Sequence, residues 1–339
     1  VRIGLIARAD SRGLGVQTKA FHDNMHPAKT MVVDCPSLKP LPIRHDWYPN
    51  ATWIHGLPSA LDFRTWLQGL DVVYTAETGY SPHLWDEAER AGVKTVLHAN
   101  YEFLNRNDRP SLWAAPSRWH LKDFPQGAKF LPVPIELDKF TPNTSCSARR
   151  FLHIVGRPAV HDRNGTEDLL EALRHVTEDV EVTIRCQEEE FLQGIDGYPI
   201  NRRKVKLNLE HGDTKDYWDN YTNYDVLVLP RRFGGLCLPL NEALGAGMPV
   251  IMPEIEPNQW LPKEWLIPAS HKTSFMAKNR VDVYGTPAIA LAARIDQFAS
   301  DPRFYWAAQQ YARDLARSLS WGSLKPIYEQ TFKAVCDVQ

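Results

Sequence analysis

Short runs of β-branched and aliphatic residues, each followed by a polar turn and then by apolar positions at helical spacing, recur along this chain. Strands are expected at residues 2–7, 29–34, 71–75, 94–97 and 112–115. Helices are expected after the first of them, reaching about Met25, and over 61–70 and 82–91, the last stopped by Gly92. A second series begins at 149–155. Helix 166–175 follows, with Thr166 as its expected cap and Glu167 and Asp168 in its first turn. Strands 181–186 and 205–209, a helix over 216–223, a strand at 226–229, and helices over 288–300, 302–319 and 321–335 complete the series. The run at 226–229 is apolar throughout, which suits a buried parallel strand, while 181–186 alternates like a strand. Residues 36–58, with one short strand near Trp53, and the Pro- and Trp-rich stretch after Pro253 read as irregular.

At 339 residues the two series predict two domains, each large enough for its own core. The expected boundaries are 1–143 and 149–315, joined by the polar segment 143–148, with 316–339 as a terminal helix. A net charge of -2 does not predict a nucleic-acid binder, and the cluster Arg202, Arg203, Lys204 and Lys206 reads as a solvated edge. No apolar run is long enough for a membrane span, and the first residues read as a strand rather than a signal peptide, so a cytoplasmic protein is expected. The five cysteines are scattered without metal-ligand spacing, which predicts reduced thiols and no zinc site.

Chemistry concentrates in residues 224–253, YDVLVLPRRFGGLCLPLNEALGAGMPVIMP. This is strand, glycine turn, helix, strand. Gly234 and Gly235 allow a tight turn and a close backbone approach to a ligand. Pro239 suits the first turn of a helix that Gly247 and Pro249 end. Backbone N–H groups and a helix N-terminus then face the turn, a ready site for a diphosphate. Glu242, one turn further in, can accept hydrogen bonds from a ribose. In the first half, Gly13 and Gly15 form a strand-to-helix turn. The third glycine of a dinucleotide fingerprint is missing, and Asp34 is followed at once by Cys35 and Pro36, so NAD binding is not expected. Glu77 and His98 stand at carboxyl ends of strands, where open α/β sheets bind ligands.

The 224–253 stretch resembles the donor-site signature of retaining GT-B glycosyltransferases of the family-4 type, Pro-Ser-x-x-Glu-Gly-Phe-Gly-Leu-Pro-x-x-Glu-Ala. The register from Pro230 to Glu242 fits without a gap, and Leu238, Pro239, Glu242 and Ala243 match. The first glutamate, which in the family contacts the donor sugar, falls on Gly234. Phe140 and Pro142 match the end of the passage that leaves the family's first domain. Gly156-Arg157 matches its diphosphate-clamping Gly-Arg, and the clamping lysine falls on Asn164 with Arg163 beside it. The turn His211-Gly212-Asp213 corresponds to the one against the nucleotide base. The context of His98, TVLHANYEF, resembles the family's strand-end histidine near the donor sugar.

The resemblance implies a GT-B fold, two Rossmann-like domains with parallel sheets facing a central cleft. It implies a glycosyltransferase, a hexosyl- or related transferase using a UDP or GDP sugar with retention at the anomeric carbon and no metal or other cofactor. His98, Arg157 and Glu242 are the expected catalytic residues. The donor would meet Gly13, Gly15, Arg157, Arg163, Asn164, Gly212, Arg231, Arg232, Gly234, Gly235, Leu236, Leu238 and Glu242, with Arg163 or Arg232 adding charge to Arg157 at the diphosphate. Glu77, Asn100 and Glu102 would line the acceptor side. The acceptor stays open among protein hydroxyls, a modified DNA base, a glycan and a small metabolite. The glycine turns also resemble those of glycosyltransferases encoded by actinobacterial phages, which implies a virion protein or phage DNA as acceptor and the host cytoplasm as compartment. Two other readings are a nucleotide-sugar 2-epimerase-like isomerase and, given Gly234, a non-catalytic nucleotide-sugar-binding protein.

Overall fold

The computed structural model describes residues 1–35, 42–212 and 214–338. Residues 36–41 of the stretch expected as irregular, and Asp213 of the turn expected at the base, lie outside the described residues. The chain forms two compact units, Val1–Val133 with Trp321–Gln339, and Pro134–Ser320. The division falls ahead of the polar segment 143–148 for a packing reason. Ile135 and Phe140 are buried in the core of the second unit, and the Ile135 N–H donates to the Leu319 carbonyl at 2.8 Å.

The first unit holds β1 (Ile3–Ala7), α1 (Gly13–Met25), β2 (Lys29–Asp34), β3 (Thr52–His55), α2 (Ala60–Trp66), β4 (Val72–Ala76), α3 (His83–Ala91), β5 (Lys94–His98), β6 (Leu112–Ala115) and β7 (Lys129–Phe130). All seven strands are parallel, in the order β3-β2-β1-β4-β5-β6-β7. Gly15 is required at the β1–α1 turn, because a Cβ there would stand 1.9 Å from the Asp10 carbonyl oxygen.

The second unit runs β8 (Arg150–Gly156), α4 (Thr166–Ala172), β9 (Val180–Cys186), α5 (Glu189–Ile195), β10 (Val205–His211), β11 (Val226–Val228), α6 (Leu238–Gly245), β12 (Val250–Pro253) and β13 (Leu266–Ile267). A hairpin of β14 (Ser270–Met276) and β15 (Arg280–Gly285), then α7 (Ala288–Ser300) and α8 (Pro302–Ser318), complete it. Its six-stranded parallel sheet has the order β10-β9-β8-β11-β12-β13. The apolar run Val226–Val228 is fully buried, as a central parallel strand requires. The last helix, α9 (Trp321–Asp337), belongs to the first unit, where Trp321, Tyr328 and Phe332 pack with Phe21 and Tyr74.

Three local expectations are corrected. Helix α4 ends at Ala172, and it is Asp162 that accepts from its first N–H groups, Thr166 and Glu167, at 2.9 Å each. The Thr166 hydroxyl is 2.9 Å from Nε2 of the buried His153 instead of capping the helix. Residues 216–223 form a 3₁₀ turn, Tyr217–Tyr221. Part of the stretch after Pro253 is the antiparallel hairpin β14–β15, whose first strand is too polar to advertise itself. Lys204 and Lys206 at the edge strand β10 pair with Asp179 and Glu181. Among the described residues no helix is long and apolar enough to cross a membrane.

Candidate functional site

In the second unit the strand order reverses between β8 and β11, which opens a crevice beyond their carboxyl ends. Two loops wall it. One leaves β8 through Gly156, at φ 61°, carries Arg157, Arg163 and Asn164, and enters α4 after Gly165. The other leaves β11 through Pro230 and runs Arg231-Arg232-Phe233-Gly234-Gly235 into α6. The loops touch. The Arg232 N–H donates to the Arg163 carbonyl at 2.8 Å, and a Cβ on Gly165, whose φ is +73°, would stand 2.0 Å from the Pro230 carbonyl oxygen.

Gly234 has φ +115°. A Cβ there would lie 2.5 Å from Nη2 of Arg231 and 2.6 Å from Nη2 of Arg163. A side chain there would be strained by that φ, and its Cβ would displace the ends of both arginines. Arg231 is buried and spans the turn, with Nε donating to the Phe233 carbonyl and Nη2 to that of Leu236, both at 3.0 Å. The Arg163 guanidinium lies over the Phe233 ring, 5.4 Å from its centroid. Gly234 and Gly235 are buried, and among the described residues their N–H groups have no protein acceptor. Pro239 stands in the first turn of α6, so the positive end of that helix faces the same turn.

Arg232 is different. Its guanidinium is 2.7 Å from Asp168, 3.2 Å from Glu167 and 3.5 Å from Asp162, and it donates to the His161 carbonyl. Burial works against its charge, but the Asp168 and Asp162 carboxylates hold its pKa above the ordinary arginine value. The diphosphate role expected for Arg232 is corrected on this ground, because its donors are committed to the protein. Asn164 is likewise committed, its amide bonding the carbonyls of Ile154 and Val155. Lys272 of the hairpin reaches Asp168 at 3.1 Å, and Phe275 packs on Phe233 and His161. The hairpin therefore reaches Asp168 and braces the glycine loop.

Glu242 is buried on α6. The Tyr217 hydroxyl donates to its Oε1 at 2.9 Å and the Tyr221 hydroxyl to its Oε2. Neither tyrosine was singled out from sequence. Their spacing of four in a stretch read as helical was the available signal, since it sets both on one face. Gly212, at φ +78°, donates to the Cys186 carbonyl, and Leu238 is the first residue of α6.

In the first unit, Gly13 and Gly15 open α1. Glu77 and Asn100 meet at 3.2 Å beyond β4 and β5, and Glu102 is buried beside them in a 3₁₀ turn. His98 is enclosed, 1% exposed, with Nδ1 2.8 Å from the Tyr74 hydroxyl and its ring edge-on to Tyr74 and Tyr328. Burial lowers its pKa to about 4, and the Leu131 backbone offsets only part of that. The ring is therefore neutral and packed in the core, with its Nε2 buried and without a hydrogen-bond partner among the described residues. Among the described residues no group of three or more His, Cys, Asp or Glu side chains is set to hold a metal ion.

The sequence matches no family model and no curated protein. Solved structures do match over the whole chain. Anabaena HepE in complex with UDP superposes with a TM-score of 0.73 at 11% identity, covering 98% of this chain and 100% of that one. A glycosyltransferase from Rickettsia africae gives 0.69 at 12% identity over 100% of both chains. Sucrose-phosphate synthase from Thermosynechococcus elongatus gives 0.70 at 15% identity, over 98% and 100%. At these identities the likeness is one of fold. The chain has the GT-B fold, two Rossmann-like domains with parallel sheets.

Proposed function

We propose that the protein is a glycosyltransferase that moves a sugar from a UDP-sugar to an acceptor hydroxyl or amine, with retention at the anomeric carbon. One observation carries the reading. Two buried glycine N–H groups without a protein acceptor stand at the N-terminus of α6, in the switch-point crevice, one helical turn from a buried carboxylate held by two tyrosines. HepE, of the same fold, has been crystallised with UDP and with UDP-glucose. In this reading the glycine N–H groups and Arg157 bind the diphosphate, and Glu242 accepts from the ribose. As the bond from the anomeric carbon to the β-phosphate oxygen breaks, charge builds on that oxygen, where preorganised donors lower the barrier. The acceptor oxygen or nitrogen bonds the anomeric carbon, and its proton passes to the departing diphosphate. The chain then needs no pair of catalytic carboxylates and no metal. The acceptor is sought first among virion proteins and DNA bases.

The arginines around Gly234 favour a second reading, a nucleotide-sugar-binding protein without turnover. A thermal-shift panel of UDP, GDP and ADP tests the site, because a ligand bound only by the native state raises stability by about 2.7 kcal/mol at a hundredfold excess over Kd. A shift with UDP alone is expected, and no shift with any nucleotide defeats the donor-site reading. UDP release that rises with added acceptor extract separates transfer from binding.

A further inference from the structure

Two neighbouring residues of the β8–α4 loop hold a backbone conformation that their side chains disfavour. His161 has φ 56° and Asp162 φ 46°, both in the left-handed region. Such positions persist only where the surroundings over-determine them. Arg232 supplies part of that restraint, donating to the His161 carbonyl at 3.2 Å and standing 3.5 Å from the Asp162 carboxylate. The hairpin supplies more. The Phe275 ring on β14 lies 4.8 Å from the ring of His161 and 5.2 Å from that of Phe233 in the glycine loop. One side chain thus touches both loops that wall the crevice. The Tyr284 N–H on β15 donates to the Arg232 carbonyl, and the Thr286 N–H just beyond it to Asp168, each at 3.0 Å. Lys272 reaches the same carboxylate. The buried apolar side chains of the hairpin itself are Val281 and Val283. With so small a core of its own, it is fixed largely by what it grips.

We propose that the β14–β15 hairpin positions the site for the diphosphate half of the donor, with Phe275 as its positioning residue. This rests on the donor-site reading above. Phe275 acts without touching the ligand. By holding Phe233 and His161 it keeps the glycine turn and the loop that carries Arg157 at one separation. The N–H groups of Gly234 and Gly235 and the Arg157 side chain then meet the phosphates already in place, which is where preorganisation contributes most. The ribose end is set by other residues, Tyr217 and Tyr221 holding Glu242. Release of Phe275 is therefore felt at the phosphates and not at the ribose.

Calorimetry with UDP and UMP is run on the wild-type chain, Phe275→Ala, Phe275→Tyr and Lys272→Met, with thermal unfolding of each. UMP carries the base, the ribose and one phosphate, so the ratio of its Kd to that of UDP reads the second phosphate. Phe275→Ala is expected to weaken UDP binding about tenfold and to leave UMP within about twofold of wild type. Phe275→Tyr keeps the ring and is expected to restore the wild-type ratio. Lys272→Met removes a different hairpin contact from a half-exposed side chain and keeps the test available if Phe275→Ala does not fold. It is expected to lower the ratio in the same direction. A lower unfolding temperature with the ratio unchanged makes the hairpin a brace for stability alone, which overturns the proposal and leaves the donor site standing. Equal weakening of UDP and UMP overturns it in the same way. No binding of UDP by wild type overturns the proposal and the donor-site reading together.

Discussion

Tyr217 donates its hydroxyl to Oε1 of Glu242 at 2.9 Å, so a carboxylate on α6 is oriented by a 3₁₀ turn that precedes β11. Tyr221 holds the other oxygen. Burial, and then the Glu242 charge beside it, push the Tyr221 pKa well above the ordinary value, so the hydroxyl stays a donor at any working pH. Tyr221→Phe keeps the ring and deletes that donor. Loss of a hydrogen bond to a charged group predicts about tenfold weaker UDP binding. It also predicts a smaller difference between UDP and 2′-deoxy-UDP by calorimetry. Unchanged discrimination would exclude Glu242 as the ribose ligand.

The ion pair of Arg232 and Asp168 predicts an effect on folding. Burial alone raises the Asp168 pKa, but Arg232, the Thr286 N–H and Lys272 outweigh it and hold the carboxylate below its ordinary value. Arg232→Leu leaves Asp168 and Asp162 without their main counterion. Breaking a buried pair from one side costs about 3–5 kcal/mol. Urea unfolding followed by tryptophan fluorescence should show the loss in the second unit's transition. A midpoint equal to wild type would mean that the network is worth little.

Two glycines separate strain from collision. Gly92 and Gly165 both have positive φ, but a Cβ on Gly92 meets nothing within 4 Å and one on Gly165 meets the Pro230 carbonyl at 2.0 Å. Gly92→Ala should cost about 1–2 kcal/mol, the left-handed penalty alone. Gly165→Ala should cost about 1–3 kcal/mol more, since the loops must part. It should also weaken UDP binding, because that contact positions the crevice. Equal thermal shifts for the two variants would rule this out.

Two buried histidines set the acid limit. Burial lowers the pKa of both His98 and His153 from 6.5 to about 4. The unfolded chain therefore binds more protons than the folded one between these values. The stability they contribute is fully present above about pH 6.5 and is lost as pH falls towards 4. Each should cost about 2 kcal/mol by pH 5. Urea midpoints at pH 7 and pH 5 measure the loss, and His153→Gln should flatten the slope. A slope unchanged in that variant would assign the acid sensitivity elsewhere.

The apolar runs at β1 and β11 were legible because a strand covered on both faces leaves no polar position to confuse the period. The hairpin was not, because β14 is largely exposed and its sequence alternates nothing. Only Val281 and Val283 of β15 carry the buried alternation of a strand.

Local chemistry in the sequence determined the glycine turn, the helix that follows it and the reach of Glu242, since φ freedom, proline at a first turn and a one-turn offset are properties of adjacent residues. It also determined that Gly234 stands where a glutamate is expected. Only the tertiary structure decided which of two consecutive arginines is neutralised. That depends on Asp162, Glu167 and Asp168 arriving from another loop, and on the hairpin laying Lys272 beside them. The same holds for His98, whose strand-end position suited a ligand but whose ring packs with Tyr74 and, from α9, Tyr328. Charge compensation and enclosure are summed over residues far apart in the chain, and no local pattern records that sum.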